Sequence, residues 1–223
     1  MPMIYYLLFA IPPIILGLFA QRYVMHSFQE GSKVRTASGL TGAEVCRRLR
    51  DSGGIHNVGV EPIGGTLTDH FDPRAMVMRL SQPVFGSSSV AAVAVAAHET
   101  GHVYQQARGD VSYRLRTAIV PVVGFASQAW MFVLLAGVFA ASVQLIWVAI
   151  ALFAAVVVFS LVTLPVEFGA SRRAMNMLTA QGIITPAEAP VARKVLTAAA
   201  LTYVVSALVA VYQLVLLYIS TRN

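Results

Sequence analysis

The chain has 223 residues, 57% hydrophobic and only 12% charged, with a mean hydropathy of +0.70. Soluble domains carry about 25% charged residues, so this composition argues against an ordinary soluble globule and for a membrane protein. The net charge of +6 reads as positive-inside bias and lipid contact, and no basic patch interleaved with aromatics argues for nucleic acid. The one cysteine, Cys46, rules out an intrachain disulfide and fits a reducing compartment.

Residues 3–20 are apolar, with Pro12 and Pro13 inside the run. At ~1.5 Å per residue they just span a ~30 Å hydrocarbon core, with a kink at the prolines. Residues 1–6 hold no Lys or Arg, which favours an uncleaved span over a cleaved signal peptide.

Residues 21–116 form the one long polar segment, with 11 of the 16 Lys/Arg, 8 of the 10 Asp/Glu and all five His. Thr41-Gly-Ala-Glu44 reads as a capping box opening a short helix. Ala43, Val45, Cys46 and Leu49 give that helix an apolar side, and Gly53-Gly54 ends it. Residues 64–80 read as β structure, with Thr66-Leu-Thr68 and Met76-Val-Met-Arg-Leu80 flanking a turn at Asp72-Pro73-Arg74. The strand at 76–81 is expected at a sheet edge, where it would pair with extended substrate. Gly86-Ser-Ser-Ser89 then offers N-caps for a helix carrying Val95-Ala-Ala-His98-Glu99-Thr100-Gly101-His102.

This last stretch is H-E-x-x-H after an apolar run. On a helix, His98 and His102 lie on one face, one turn apart, and can share a cation. Glu99 is placed to reach a water beside it. The pattern predicts one Zn²⁺ held by two imidazoles, with a carboxylate as general base.

Residues 117–166 are 50 residues without a charge, twice the ~20–25 needed for one crossing. The polar break at Ser142-Val-Gln144 divides them into a hairpin of helices at about 118–141 and 143–166. In the polar segment 167–194, Thr185-Pro186-Ala-Glu188 combines an N-cap, a proline at the first helical position and a capping glutamate. Residues 195–219 are the last span. The expected organisation is therefore a first span at 1–20, a zinc-site region at 21–116, a hairpin at 117–166, a third-ligand and connecting segment at 167–194, and a last span and tail at 195–223. The two polar segments carry 15 of the 16 Lys/Arg, so both are expected on the cytoplasmic side.

A catalytic zinc usually has three protein ligands. No His follows His102, so a downstream ligand is acidic: Asp110, Glu167 or Glu188. Asp110 would need the chain to double back at once, and Glu188 already has a capping role. Glu167 ends the third span on the same side as the motif, and Gly169, Ala170 and Ser171 after it permit close helix packing. The competing reading pairs Glu167 with Arg172 or Arg173. His70 is a candidate substrate or oxyanion contact, or else a satisfied turn histidine; Arg79 and Ser81 are further candidate substrate contacts.

Asp69-His-Phe-Asp-Pro73, Arg79-Leu-Ser81, the H-E-T-G-H block and Leu164-Pro-Val-Glu-Phe-Gly-Ala-Ser-Arg-Arg-Ala174 together resemble the bacterial YugP-type membrane zinc metallopeptidases, also called neutral zinc metallopeptidases. The resemblance covers essentially the whole chain. More distantly it is similar to HtpX-type and CAAX-type membrane proteases, where a Glu on a later helix is the third ligand and an Asp follows four residues on. Here that place is Ser171. The resemblance implies a gluzincin-like site on a membrane anchor.

The expectation is a mostly α membrane protein: four transmembrane helices plus a small α+β zincin-like domain, with His98, His102 and Glu167 on zinc and Glu99 catalytic. Its partners would be a peptide or protein substrate and the bilayer of a bacterial plasma membrane. Two rivals remain. A site-2-type intramembrane protease would place H-E-x-x-H within a span, and the apolar run here is too short. A non-enzymatic scaffold would close its zinc with four protein ligands.

Overall fold

The computed structural model describes residues 3–221, with side chains described from Ala10 onward. In chain order the elements are α1 (Met3–Ser32), α2 (Gly42–Ser52), β1 (Gly59–Ile63), β2 (His70–Asp72), β3 (Val77–Ser81), α3 (Gln82–Phe85), α4 (Val90–Ala107), α5 (Val111–Phe139), α6 (Val143–Ala180) and α7 (Ala189–Ser220). They pack as two units. One comprises Met1–Ala20, Val111–Val166 and Thr202–Asn223; the other comprises Gln21–Asp110 and Glu167–Leu201.

In the first unit the cohesion comes from large side chains meeting across helices. Trp130 of α5 lies against Phe153 of α6, with 4.5 Å between ring centroids, and Val157 and Ala210 are buried beside them. Outward, Phe125, Phe132, Leu161 and Leu208 are exposed. In water each such side chain would forgo about 1.5–3 kcal/mol of burial, a penalty that hydrocarbon surroundings remove. The hairpin break falls at the expected place. Ala141 takes a positive φ of 48°, and a Cβ on Gly137 would come within 3.0 Å of the Ile146 backbone nitrogen.

Among the described residues α5, α6 and α7 are long and apolar enough to cross a membrane. The expected first span falls in α1, which continues to Ser32 and is not one of those three. The side chains of residues 3–9 lie outside the described residues. The expected helix bounds change in three places. The second span starts earlier, at Val111; the third runs past 166 to Ala180; and the last begins at Ala189. Charged Arg114, Arg116, Arg172 and Arg173 continue these helices because a helix satisfies its own backbone hydrogen bonds whatever its side chains are.

The second unit is built around α4. The Thr41 capping box opens α2 as expected, with Glu44 reaching back to the Thr41 N–H at 2.8 Å. Val45, Cys46 and Leu49 of α2 are fully buried with Val90, Val93 and Ala97 of α4. Below them lies a three-stranded sheet of order β1-β3-β2, with β1 parallel and β2 antiparallel to β3. Two expectations fail here. Strand β3 is central rather than at the edge: β1 pairs along all of it and β2 along Val77–Arg79. On that second side Asp69 takes the Ser81 N–H at 2.8 Å. Thr66-Leu67-Thr68 is not a strand, since Gly65 and Leu67 have positive φ (100° and 56°) and Thr68 folds back to donate to the Gly64 carbonyl. The missed strand is β1. Its Pro62 argues against a strand in sequence, but a proline without a ladder N–H is tolerated on an edge.

The expected turn at Asp72 forms, and it has a pH signature. The backbone N–H of Ala75, the Arg79 guanidinium and the N–H of Arg74 hold the Asp72 carboxyl down at about 2. Its unfolded value is about 3.9. The contribution is therefore complete above about pH 4 and is lost as the pH falls through about 2. The thermal-stability gap between wild type and Asp72→Asn should be wide at about pH 6 and should close towards about pH 2. A gap of constant size would show that Asp72 does not titrate in this way.

Candidate metal centre

The start of α4 is fixed before its chemistry begins. The Ser89 hydroxyl accepts the Ala92 N–H at 3.2 Å, and the Val90 N–H donates to the Val34 carbonyl at 2.8 Å. From Val90 to Ala97 the helix is apolar and mostly small, so α2 and the sheet close around it. Thr100 turns its hydroxyl back to the Ala96 carbonyl at 2.9 Å and packs against the sulfurs of Cys46 and Met78. Burial pushes the Cys46 thiol up to about 12, so it is an inert core group beside the site.

Helix α6 meets α4 through small residues. A Cβ on Gly101 would lie 2.7 Å from the Ala170 carbonyl oxygen, and one on Gly169 would lie 3.0 Å from the Gln105 amide nitrogen. At Gly101 the clash would be with backbone, so only glycine permits the approach there, whereas at Gly169 the neighbour is the end of the Gln105 side chain. One turn from this contact, Glu167 brings its carboxylate to the two motif imidazoles. Its Oε2 is 3.2 Å from His98 Nε2 and 3.6 Å from His102 Nε2. Glu167 is 2% exposed, while the histidine side chains keep 13% and 10%. The rings stand nearly perpendicular, with centroids 4.8 Å apart.

Each histidine is held from behind. His102 Nδ1 donates to Gln105 Oε1 at 2.8 Å, since an amide oxygen can only accept. That fixes the tautomer and leaves Nε2 with the lone pair. His98 Nδ1 meets the Ser171 hydroxyl at 3.1 Å. Burial alone would lower the His102 pKa, but Glu167, Glu99 and Gln105 together leave it raised. Glu99 is buried too, yet its carboxylate accepts no hydrogen bond among the described residues.

The donor atoms of His98, His102 and Glu167 all lie within 4.8 Å of one another, a group that can hold a metal ion. Two imidazoles and a carboxylate suit zinc. Ligands at ~2.0–2.1 Å on a tetrahedral ion lie about 3.3 Å apart, and the two observed separations bracket that value.

The other candidates stand elsewhere. Asp110 pairs with Arg173 at 3.2 Å, which takes up one of the two arginines that competed for Glu167; Arg172, the other, has no ion-pair partner among the described residues. Glu188 caps as expected, accepting the Thr185 N–H at 2.7 Å and also the Ala37 N–H at 2.7 Å. His70 lies on β2 with Nδ1 2.9 Å from the Thr68 carbonyl and is exposed. Arg79 is engaged by Asp72 and Glu61, and Ser81 by Asp69. Gln105 is the residue that sequence reasoning missed. Its signal was the i, i+3 spacing from His102, which places the two on one helix face.

A family model described as "Putative neutral zinc metallopeptidase" matches residues 6–222. The chain is 45% identical over 211 residues to "Putative membrane protease YugP" of Bacillus subtilis (strain 168), an alignment covering 93% of this chain and 94% of that protein. No solved structure matches the chain.

Gln105→Leu keeps the volume but removes the acceptor behind His102. It should weaken zinc binding by about 10- to 100-fold with the helical content unchanged. Competition with a chromophoric chelator reads the affinity, and an unaltered affinity would remove Gln105 from the site.

Proposed function

Since the chain belongs to the neutral zinc metallopeptidase family, we propose that it is a membrane-embedded zinc endopeptidase of the gluzincin type. In this reading His98, His102 and Glu167 hold one Zn²⁺ and Glu99 is the general base. The observation that carries it is the convergence of three donors from two helices beside a buried carboxylate with no hydrogen-bond partner among the described residues.

Zinc in that donor set supplies a Lewis acid that polarises a scissile carbonyl and acidifies a water. Glu99 takes the proton of the attacking water and delivers it to the leaving amine. Gln105 and Ser171 keep the two imidazoles turned towards Glu167 during turnover, so that the donor set does not have to reorganise. An extended substrate adds to the outer edge of β2, the short strand that packs on α4, since β3 is paired on both sides. His70, exposed on that edge, is the proposed substrate contact. Arg79 and Ser81 are engaged within the sheet and support it instead.

Three observations favour this reading over its rivals. Helix α4 is not among the three apolar helices, which disfavours an intramembrane protease. Three protein donors among the described residues fit the pattern of a catalytic rather than a structural zinc. Residues of the two polar segments also pack into one unit, with Gln181 donating to Ser52 at 2.6 Å. That packing suits an even number of crossings between them. We place a fourth span at 3–20 and the site on the cytoplasmic face of a bacterial plasma membrane, following the Lys/Arg distribution.

Glu99→Gln should keep one zinc per chain and lose peptidase activity against a fluorogenic peptide library, because an amide cannot accept the proton. Full activity in that variant would overturn the assigned mechanism. Glu167→Ala and Glu167→Asp should both lose zinc, the second because a shorter side chain withdraws its oxygen by about one bond, beyond the ~0.2 Å tolerance of a metal site. Metal analysis of either variant showing a full zinc complement would exclude Glu167 as a ligand. Cysteine labelling at Ser52 and Gln181 should report both on the cytoplasmic face, and opposite faces would break the four-span arrangement.

A further inference from the structure

A cavity of about 300 Å³ opens between α6 and α7. Phe168, Leu196 and Ala200 are among its apolar lining, while Arg172, Asn176 and Arg193, with the Ser171 and Thr197 hydroxyls, supply the polar groups. No carboxylate lines it. Both arginines are exposed, and neither has a hydrogen-bond or ion-pair partner among the described residues. Most other arginines of the same unit are engaged, Arg22 and Arg74 excepted, and neither of those two lines this cavity. Arg173, the next residue, is held by Asp110; Arg50 by Asp51; Arg79 by Asp72; Arg47 and Arg108 lie over aromatic rings.

Polarity along the cavity follows the helices that build it. Phe168 follows the charge-free run of α6, and Leu196 and Ala200 lie in the charge-free run of α7, residues 195–220. The arginines lie nearer the polar connection at 181–188. Arg193 also lines an adjoining cavity with Lys194, which adds a further cation. Two unpaired guanidiniums beside an apolar trough suit a ligand with an anionic phosphate at one end and hydrocarbon at the other. A free phosphate would leave the trough unused, and a neutral lipid would leave the guanidiniums without an anion.

We propose that the α6–α7 groove is a binding site for an anionic phospholipid, with its phosphate on Arg172 and Arg193 and an acyl chain along Phe168, Leu196 and Ala200. The site does not depend on the peptidase reading. The test uses the full chain reconstituted in equal amounts of phosphatidylglycerol and phosphatidylcholine with matched acyl chains. After transfer to mild detergent, retained lipid is counted by native mass spectrometry. Wild type should retain phosphatidylglycerol over phosphatidylcholine by at least about fivefold, and millimolar glycerol phosphate should not displace it. Arg172→Gln/Arg193→Gln should bring the ratio to about one. Arg47→Gln/Arg74→Gln, which removes the same charge elsewhere, should leave it unchanged. Thr197→Trp fills the groove from an exposed position with both arginines intact; it should reproduce the loss even if the double variant fails to fold. A wild-type ratio of one, an equal loss in the Arg47/Arg74 pair, no loss with Thr197→Trp, or displacement by glycerol phosphate would each overturn the proposal.

Discussion

A carboxylate buried as deeply as Glu167 must be met by positive charge or strong donors, because an isolated ion in the interior costs several kcal/mol. Glu167 meets two imidazoles carried by a different helix. That encounter requires α4 and α6 to approach to backbone contact, which Gly101 against Ala170 permits. Glycine costs a helix about 1 kcal/mol relative to alanine, and here the approach it allows assembles the donor set. The rest of the second unit is arranged so that this approach is held.

The remaining contacts of α4 serve that end. Ser89 and Val34 fix where the helix begins, α2 covers one side through Val45 and Leu49, and Thr100 ties the motif turn to Met78 of β3. Because β3 is paired on both sides, its position under α4 is set by two neighbours. The histidines then need only one acceptor or hydroxyl each to be oriented, and Gln105 and Ser171 provide them. A hydroxyl orients an imidazole less firmly than a carboxylate would. Of the two motif histidines, His98 has the longer contact, 3.1 Å to the Ser171 hydroxyl, and His102 the shorter, 2.8 Å to the Gln105 amide oxygen.

Charge is distributed in the same spirit. In the second unit most arginines are satisfied locally by a carboxylate, a carbonyl or a ring, so the helices and turns they belong to are stitched together. Arg172 and Arg193 are left over at a cavity whose lining includes the hydrocarbon of Phe168, Leu196 and Ala200. The contrast within one helix is sharp: Arg173 closes on Asp110 while its neighbour Arg172 lines the cavity with no partner among the described residues.

The sequence alone determined the features that depend on spacing along the chain. H-E-x-x-H placed His98 and His102 on one face, the capping boxes at Thr41 and Thr185 formed with the expected hydrogen bonds, and the break at Ser142 split the long apolar run. Elimination among three acids selected Glu167, the one that meets the histidines. The spacing, cap and break readings rest on helix periodicity, capping and hydrophobic length, which are local properties; for Glu167 the elimination narrowed the choice, and the packing of the helices placed it beside the histidines. What only the tertiary structure decided is which groups from distant segments face one another. Pro62 hid β1 until β3 was seen to accept it as an edge, and Thr66–Thr68 alternated like a strand until positive φ at Gly65 and Leu67 turned the chain. Gln105 carried no signal beyond its spacing from His102, because an amide acquires its role only when an imidazole nitrogen is placed against it. Pairing across the fold is set by packing, which the order of neighbours along the chain constrains but does not specify.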